Sequence, residues 1–179
     1  MRPIPKTFIA AFLLTVGMAS SALAQSLSWT SITGPSSPGY GGYVRDIRNP
    51  SKYVSNTSSA PDTKVWMATD GGGVFSTVDN GANWVKPEGA LSNKRVFSMT
   101  SFPSSSATAG YRLILGTYGG GVLATGDAGA SFYAINGLTC NFVRTVRVIS
   151  TSATTTRLLA GTDCGGATSG VHYQDLSPT

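Results

Sequence analysis

Two carboxylates stand out by the company they keep. Asp79 in "STVDNGANW" (76–84) and Asp127 in "ATGDAGASF" (124–132) each follow a threonine by two residues, Thr77 and Thr125. Each precedes a glycine by two, Gly81 and Gly129, and an aromatic ring by five, Trp84 and Phe132. An aspartate that opens a turn accepts the turn's own backbone amides, a glycine supplies the left-handed residue, and the ring packs the turn onto apolar neighbours. That is structural chemistry, hydrogen bonding and not proton transfer. The remaining reactive inventory is thin: one histidine, His172, one glutamate, Glu88, and two cysteines, Cys140 and Cys164. The spacing of the cysteines leaves no room for a four-ligand zinc site, since His172 is the only other soft ligand, and no phosphate loop or nucleophile constellation is present, so no metal and no cofactor is expected. The two cysteines are expected to pair if the chain is exported, with two unpaired, partly buried thiols as the alternative.

What must position these residues is a repeat. At an offset of 48, Thr69 aligns with Thr117, Gly71 with Gly119, Gly73 with Gly121, Val74 with Val122, Asp79 with Asp127, Gly81 with Gly129 and Trp84 with Phe132. A degenerate third copy starts at "LLAGTDCGG", where Thr162 follows Thr117 by 45, and resumes at Gly170-Val171. Within the copies, β-branched and aromatic runs alternate with Gly, Asp and Asn clusters, which predicts strands at 43–47, 64–69, 73–78, 83–87, 95–102, 111–117, 121–126, 131–135, 141–149, 157–162 and 170–175. A repeat of 40 to 50 residues made only of strands and turns points to an all-β fold of four-stranded antiparallel propeller blades. The units run over about 43–87, 95–135 and 141–175. A further strand at 27–32, "LSWTSI", is expected to close the blade that the last unit leaves at three strands. Three blades fall short of the four to eight that make a ring, so either a homo-oligomer completes it or the chain is part of something longer.

The N-terminal 24 residues read as a cleaved signal peptide: Arg2 and Lys6, an apolar run from Phe8 to Met18, and Ala22-Leu23-Ala24 before Gln25. A membrane anchor is the competing reading, but the run is short for a bilayer span. Residues 25–179 would then form a single domain, secreted or periplasmic, with no further membrane span. Losing Arg2 and Lys6 takes the formal net charge from +5 to +3, and the basic residues form no run, which argues against a nucleic-acid partner.

Thr77-x-Asp79-x-Gly81-x-x-Trp84 and Thr125-x-Asp127-x-Gly129-x-x-Phe132 resemble Asp-box repeats, also called bacterial neuraminidase repeats. Taking Ser76 as the leading hydroxyl instead would insert one extra residue in the first copy. The preceding "WMATDGGGVF" and "LILGTYGGGVL" are similar to the strand and hairpin before the box in secreted propellers of the sortilin, xyloglucanase and photosystem II assembly factor types. The resemblance extends over about residues 27–175. It implies a propeller in which the box is a turn distant from any active site.

In the xyloglucan-active relatives a "TD-x-GG" hairpin carries a catalytic aspartate, which by resemblance puts Asp70 and Asp163 forward as an acid and base pair, with Tyr118 at the corresponding place in the second unit. A sialidase is excluded more directly, because no Phe-Arg-Ile-Pro element is present. Arg45, Arg95, Arg144 and Arg147 could bind a carboxylate, although charges on strand edges explain them better. Tyr118, Trp66, Tyr43, Tyr40 and His172 are the candidates for stacking on a sugar or gripping a peptide. Trp66 in "KVWMAT" would equally fill the space between blades. The expected function is a secreted noncatalytic propeller module that binds a glycan or protein partner; the alternative is part of a xyloglucanase-like glycoside hydrolase.

Overall fold

The computed structural model describes residues 43–50, 64–87, 91, 94–104, 106–150 and 155–176. The expected signal peptide, the strand at 27–32, Tyr40 and Glu88 lie outside them. The described residues form three antiparallel sheets, and the fold is all-β, a partial propeller. The first sheet holds β1 (Val44–Arg48), β2 (Val65–Thr69) and β3 (Gly73–Thr77). The second holds β4 (Arg95–Pro103), β5 (Tyr111–Tyr118), β6 (Gly121–Thr125) and β7 (Tyr133–Ile135). The third holds β8 (Val143–Ser150), β9 (Thr156–Thr162) and β10 (Gly170–Leu176). Each sheet is a meander in chain order.

The strand expected at 83–87 is reduced to a single bridge between Ser76 and Val85. Pro87 ends that run and has no N–H to donate to a ladder. Four strands are therefore complete only in the second sheet among the described residues.

Because each sheet is packed on its neighbour, alternate residues of one strand serve two cores. Trp66, Ala68 and Val74 of the first sheet meet Val96, Met99, Leu113, Leu115 and Leu123 of the second. The opposite face of the second sheet, Ile114, Val122 and Ala124, meets Val143, Val146, Leu158 and Ala160 of the third. Strands buried on both sides read as continuous apolar runs, which is why "VWMA" and "RLILG" carry no polar alternation. Full burial of each large side chain is worth about 1.5–3 kcal/mol. Close approach depends on a glycine: a Cβ on Gly116 would stand 3.0 Å from Val143 Cγ1 and 3.2 Å from Val146 Cγ1.

Candidate functional site

Threonine, glycine and aspartate build the two turns identically. Thr77 Oγ1 donates to Asp79 Oδ1 (2.6 Å) and accepts the Gly81 amide (3.0 Å), while Asp79 Oδ1 accepts the Asn83 amide (2.8 Å). In the second copy Thr125 Oγ1 donates to Asp127 Oδ1 (2.7 Å) and accepts the Gly129 amide (3.0 Å), and Asp127 accepts the Ser131 amide (2.9 Å). Thr77 and not Ser76 is thus the leading hydroxyl. The bonds from the threonine hydroxyls and from the Asn83 and Ser131 amides go to the ionised carboxylates and hold them far below the ordinary value of 3.8. Asp79 lies at about 2, chiefly through the Thr77 hydroxyl and then Asn83, and Asp127 at about 2, chiefly through Ser131 and then Thr125. Gly81 and Gly129 both have φ near +90° (91° and 89°). Trp84 and Phe132 are half-buried, and Phe132 packs against the first core.

The other end of the strands carries a different cluster. Each sheet's first strand has a β-bulge near its start, between Val44 and Asp46, Val96 and Ser98, and Val143 and Thr145. The bulged residues are Arg45, Phe97 and Arg144. A bulge re-aims one side chain away from the pleat, and here it brings three together: the Arg45 guanidinium lies 4.7 Å and that of Arg144 5.0 Å from the Phe97 ring centroid. Arg144 also lies 4.7 Å from the Tyr118 ring, which packs 4.5 Å from Phe142 and 5.5 Å from Phe97, centroid to centroid.

Around this stack sit the two hairpin aspartates. Asp70 is gripped by Arg95 and Arg45 together, and these pairs hold its carboxyl at about 2, Arg95 contributing most. Asp163 receives both Nε (3.0 Å) and Nη2 (2.7 Å) of Arg144. The hairpins are fixed by Thr69 and Thr117, whose hydroxyls donate to the Gly73 and Gly121 carbonyls at 2.9 and 2.8 Å. They are also fixed by the Gly73 and Gly121 amides, which donate to Lys94 and Asn141 carbonyls of the next unit. Asp70, Tyr118, Tyr43 and Asp163 are thereby brought to one end of the sheets. Tyr43 is 80% exposed there, with Arg45 5.8 Å from its ring.

The structure places the other candidates elsewhere. Trp66 is a correction: it is fully buried in the first core, its Nε1 bonded to Tyr111 Oη at 3.3 Å, and touches no solvent. His172 lies in a groove between the second and third sheets, beside Val122, Ile135, Leu138 and Leu158, with Nε2 3.2 Å from the Thr168 carbonyl. Arg147 bonds Ser98 Oγ and the Val146 carbonyl and stands apart from the stack. Cys140 and Cys164 are joined, Cα to Cα 5.8 Å. Sequence reasoning missed Phe97 and Phe142, and it read Arg45 and Arg95 as edge charges although they clamp Asp70. The signal that marks the bulge is the Val-x-[Asp/Ser/Thr]-[Ile/Met/Val] pattern shared by 44–47, 96–99 and 143–146. Among the described residues no group of three or more His, Cys, Asp or Glu could hold a metal ion, and no helix is long and apolar enough to cross a membrane.

No family model matches the sequence, and no curated protein matches it. Solved structures do. An ancestral GH74 enzyme matches at 19% identity over 83% of this chain and 20% of its own, with a TM-score of 0.50. The GH74 enzyme of Niastella koreensis matches at 16% identity over 65% of this chain and 18% of its own, with a TM-score of 0.47. The chain spans about a fifth of the length of these enzymes. At such identity the likeness to the ancestral enzyme is one of fold, and it agrees with propeller blades.

Proposed function

We propose that this chain is an exported, noncatalytic propeller module that binds a glycan or protein partner through the Arg45, Phe97, Tyr118, Phe142 and Arg144 surface. The observation that carries this reading is the state of Asp70. A general acid for glycoside hydrolysis needs a raised pKa and a proton to give. Asp70 is instead a carboxylate locked between Arg95 and Arg45 and held at about 2. What remains at that end is an array of flat faces, guanidinium on ring on ring, with Arg45, Arg95 and Arg144 side chains 37%, 48% and 46% exposed. Aromatic and guanidinium faces stack on sugar rings and on peptide groups. The turns at Asp79 and Asp127, which we read as Asp-boxes, serve the scaffold and not the ligand.

The fold likeness to GH74 enzymes supports a second reading, in which the chain is a piece of a larger glycoside hydrolase with Asp70 and Asp163 as its carboxylates. One pair of measurements separates the two. Calorimetric titration with xyloglucan and uronate oligosaccharides is expected to show binding that Tyr118→Ala weakens at least tenfold without loss of the β-sheet circular dichroism. Reducing-sugar release from xyloglucan and β-glucan is expected to be absent; release that disappears in the Asp70→Asn, Asp163→Asn double variant would establish the enzyme.

A further inference from the structure

The two joints between neighbouring sheets carry the same backbone bridge with different side chains. Asp70 bridges to Arg95 at the first joint, and Tyr118 to Phe142 at the second. A salt pair in one and a ring pair in the other leave the bridge unchanged, so the joint itself demands neither. What these side chains share is a surface on which charge and flat faces lie side by side.

The charges there do not balance. Among the described residues four cations, Arg45, Lys94, Arg95 and Arg144, meet two carboxylates, Asp70 and Asp163. Asp46, close by, is already spent on Arg48 and on the Met99 amide. The guanidiniums of Arg45, Arg144 and Arg95 lie 4.7, 5.0 and 5.4 Å from the centroid of the single Phe97 ring. That keeps them within about one screening length of each other, ~8–10 Å.

Donors are left over as well. The bonds to the two aspartates use Nη2 of Arg45, and Nε and Nη2 of Arg95 and Arg144. Nη1 of all three arginines is unused among the described residues. The Lys94 ammonium, 3.5 Å from where a Cβ on Gly120 would stand, has no ion pair among them either. Asp70 shows what such donors do with a carboxylate: Arg95 takes both of its oxygens while Arg45 takes one.

From this excess of converging donors beside exposed rings we propose that the ligand of this surface is an acidic glycan. The inference rests on the reading of the surface as a binding site and names its ligand class. A sugar carboxylate is taken by Arg45, Lys94 and Arg144, and the apolar face of the sugar ring lies against Tyr118 and Phe142, the latter 38% exposed. Guanidinium and carboxylate are both planar and match through parallel N–H···O bonds, while aromatic faces take the C–H face of a sugar. A uronate carries both features in one unit. An acidic peptide brings carboxylates on flexible stems without the flat face, and a neutral glycan brings the face without the charge.

The test is calorimetric titration of the protein, produced from the full sequence, with galacturonate oligosaccharides, with the same oligosaccharides methyl-esterified at every carboxyl, and with oligoglutamate. The acid form is expected to bind about tenfold more tightly than the ester, the worth of one hydrogen bond to a charged group, and the gap is expected to narrow as salt rises. Arg144→Gln and Lys94→Gln, each checked for its fold by circular dichroism, are expected to close the gap by weakening the acid form alone. Arg157→Gln, at the far end of β9 and paired with Asp175, is expected to leave both affinities unchanged. Equal binding of acid and ester overturns the inference and leaves the binding surface standing. So does an equal loss in Arg157→Gln, which would assign the preference to the overall charge of the protein. Tightest binding of oligoglutamate overturns it in favour of an acidic protein partner. Binding of none of the three overturns it too and, if xyloglucan also fails to bind, removes the glycan reading beneath it.

Discussion

The first two blades and the third fasten themselves by different means. In the first two, the third strand runs into a threonine–aspartate turn, and the inner hairpin is tied to the following sheet. The Gly73 amide donates to the Lys94 carbonyl at 2.9 Å and the Gly121 amide to the Asn141 carbonyl at 3.0 Å. Among the described residues the third blade has neither the turn nor a following sheet. Its hairpin is closed instead by the Cys140–Cys164 bond and by a short 3-10 turn at Gly166–Thr168, over which Thr162 Oγ1 reaches the Thr168 carbonyl at 2.9 Å. A blade with a neighbour can rely on weak bonds that the neighbour completes. The third, without those bonds, is held by a covalent one.

If that contrast is right, reduction should separate the two regions. Replacing both cysteines by serine, or reducing them, is expected to cost about 3 kcal/mol for a loop of this length (sequence separation 24). Hydrogen exchange should rise in β8, β9 and β10 and stay unchanged in β2 and β3; uniform exchange across all three sheets would dissolve the distinction. Glycines sharpen it next. A Cβ on Gly129 would lie 2.3 Å from the Trp66 ring at a φ of +89°, so Gly129→Ala combines overpacking with left-handed strain, about 2–5 kcal/mol together. Gly165 in the third hairpin has φ +77° but open space, and Gly165→Ala should cost about 1–2 kcal/mol. Equal melting shifts for the two would show that the second turn is no tighter than the disulfide hairpin.

The smallest effect is acid sensitivity. Asp70, Asp79 and Asp127 titrate at about 2 in the fold against an ordinary 3.8, so their contribution is fully present above about pH 4 and is lost as the pH falls from there towards 2. Melting temperature is expected to decline over that window, and more shallowly in an Asp79→Asn, Asp127→Asn variant. A variant with the unaltered slope would locate the acid response outside the turns.

Much of the fold was legible because its punctuation is local. Gly-rich hairpins and Asp turns are written in neighbouring residues, and ten strands fall within two residues of where their β-branched runs put them. The strand at 83–87 was misjudged because aromatic content outweighed Pro87. The site was less legible for two physical reasons. Trp66 lies on a strand with two buried faces, where alternation gives no direction. The Arg45, Asp70 and Arg95 clamp joins residues 25 apart on each side, and nothing in a linear pattern states that a bulge turns Arg45, Phe97 and Arg144 toward a common point.

That bulge has a consequence for how such a chain can change. The residue it extrudes sits outside the ladder, so its side chain is answerable neither to the core nor to strand pairing, and the three copies have used that freedom for arginine, phenylalanine and arginine. Each blade thus offers one position where almost any chemistry can be installed at the same end of the molecule while the scaffold stays as it is. A library varied at 45, 97 and 144 alone would change that end of the molecule while the strand ladders keep their pairing.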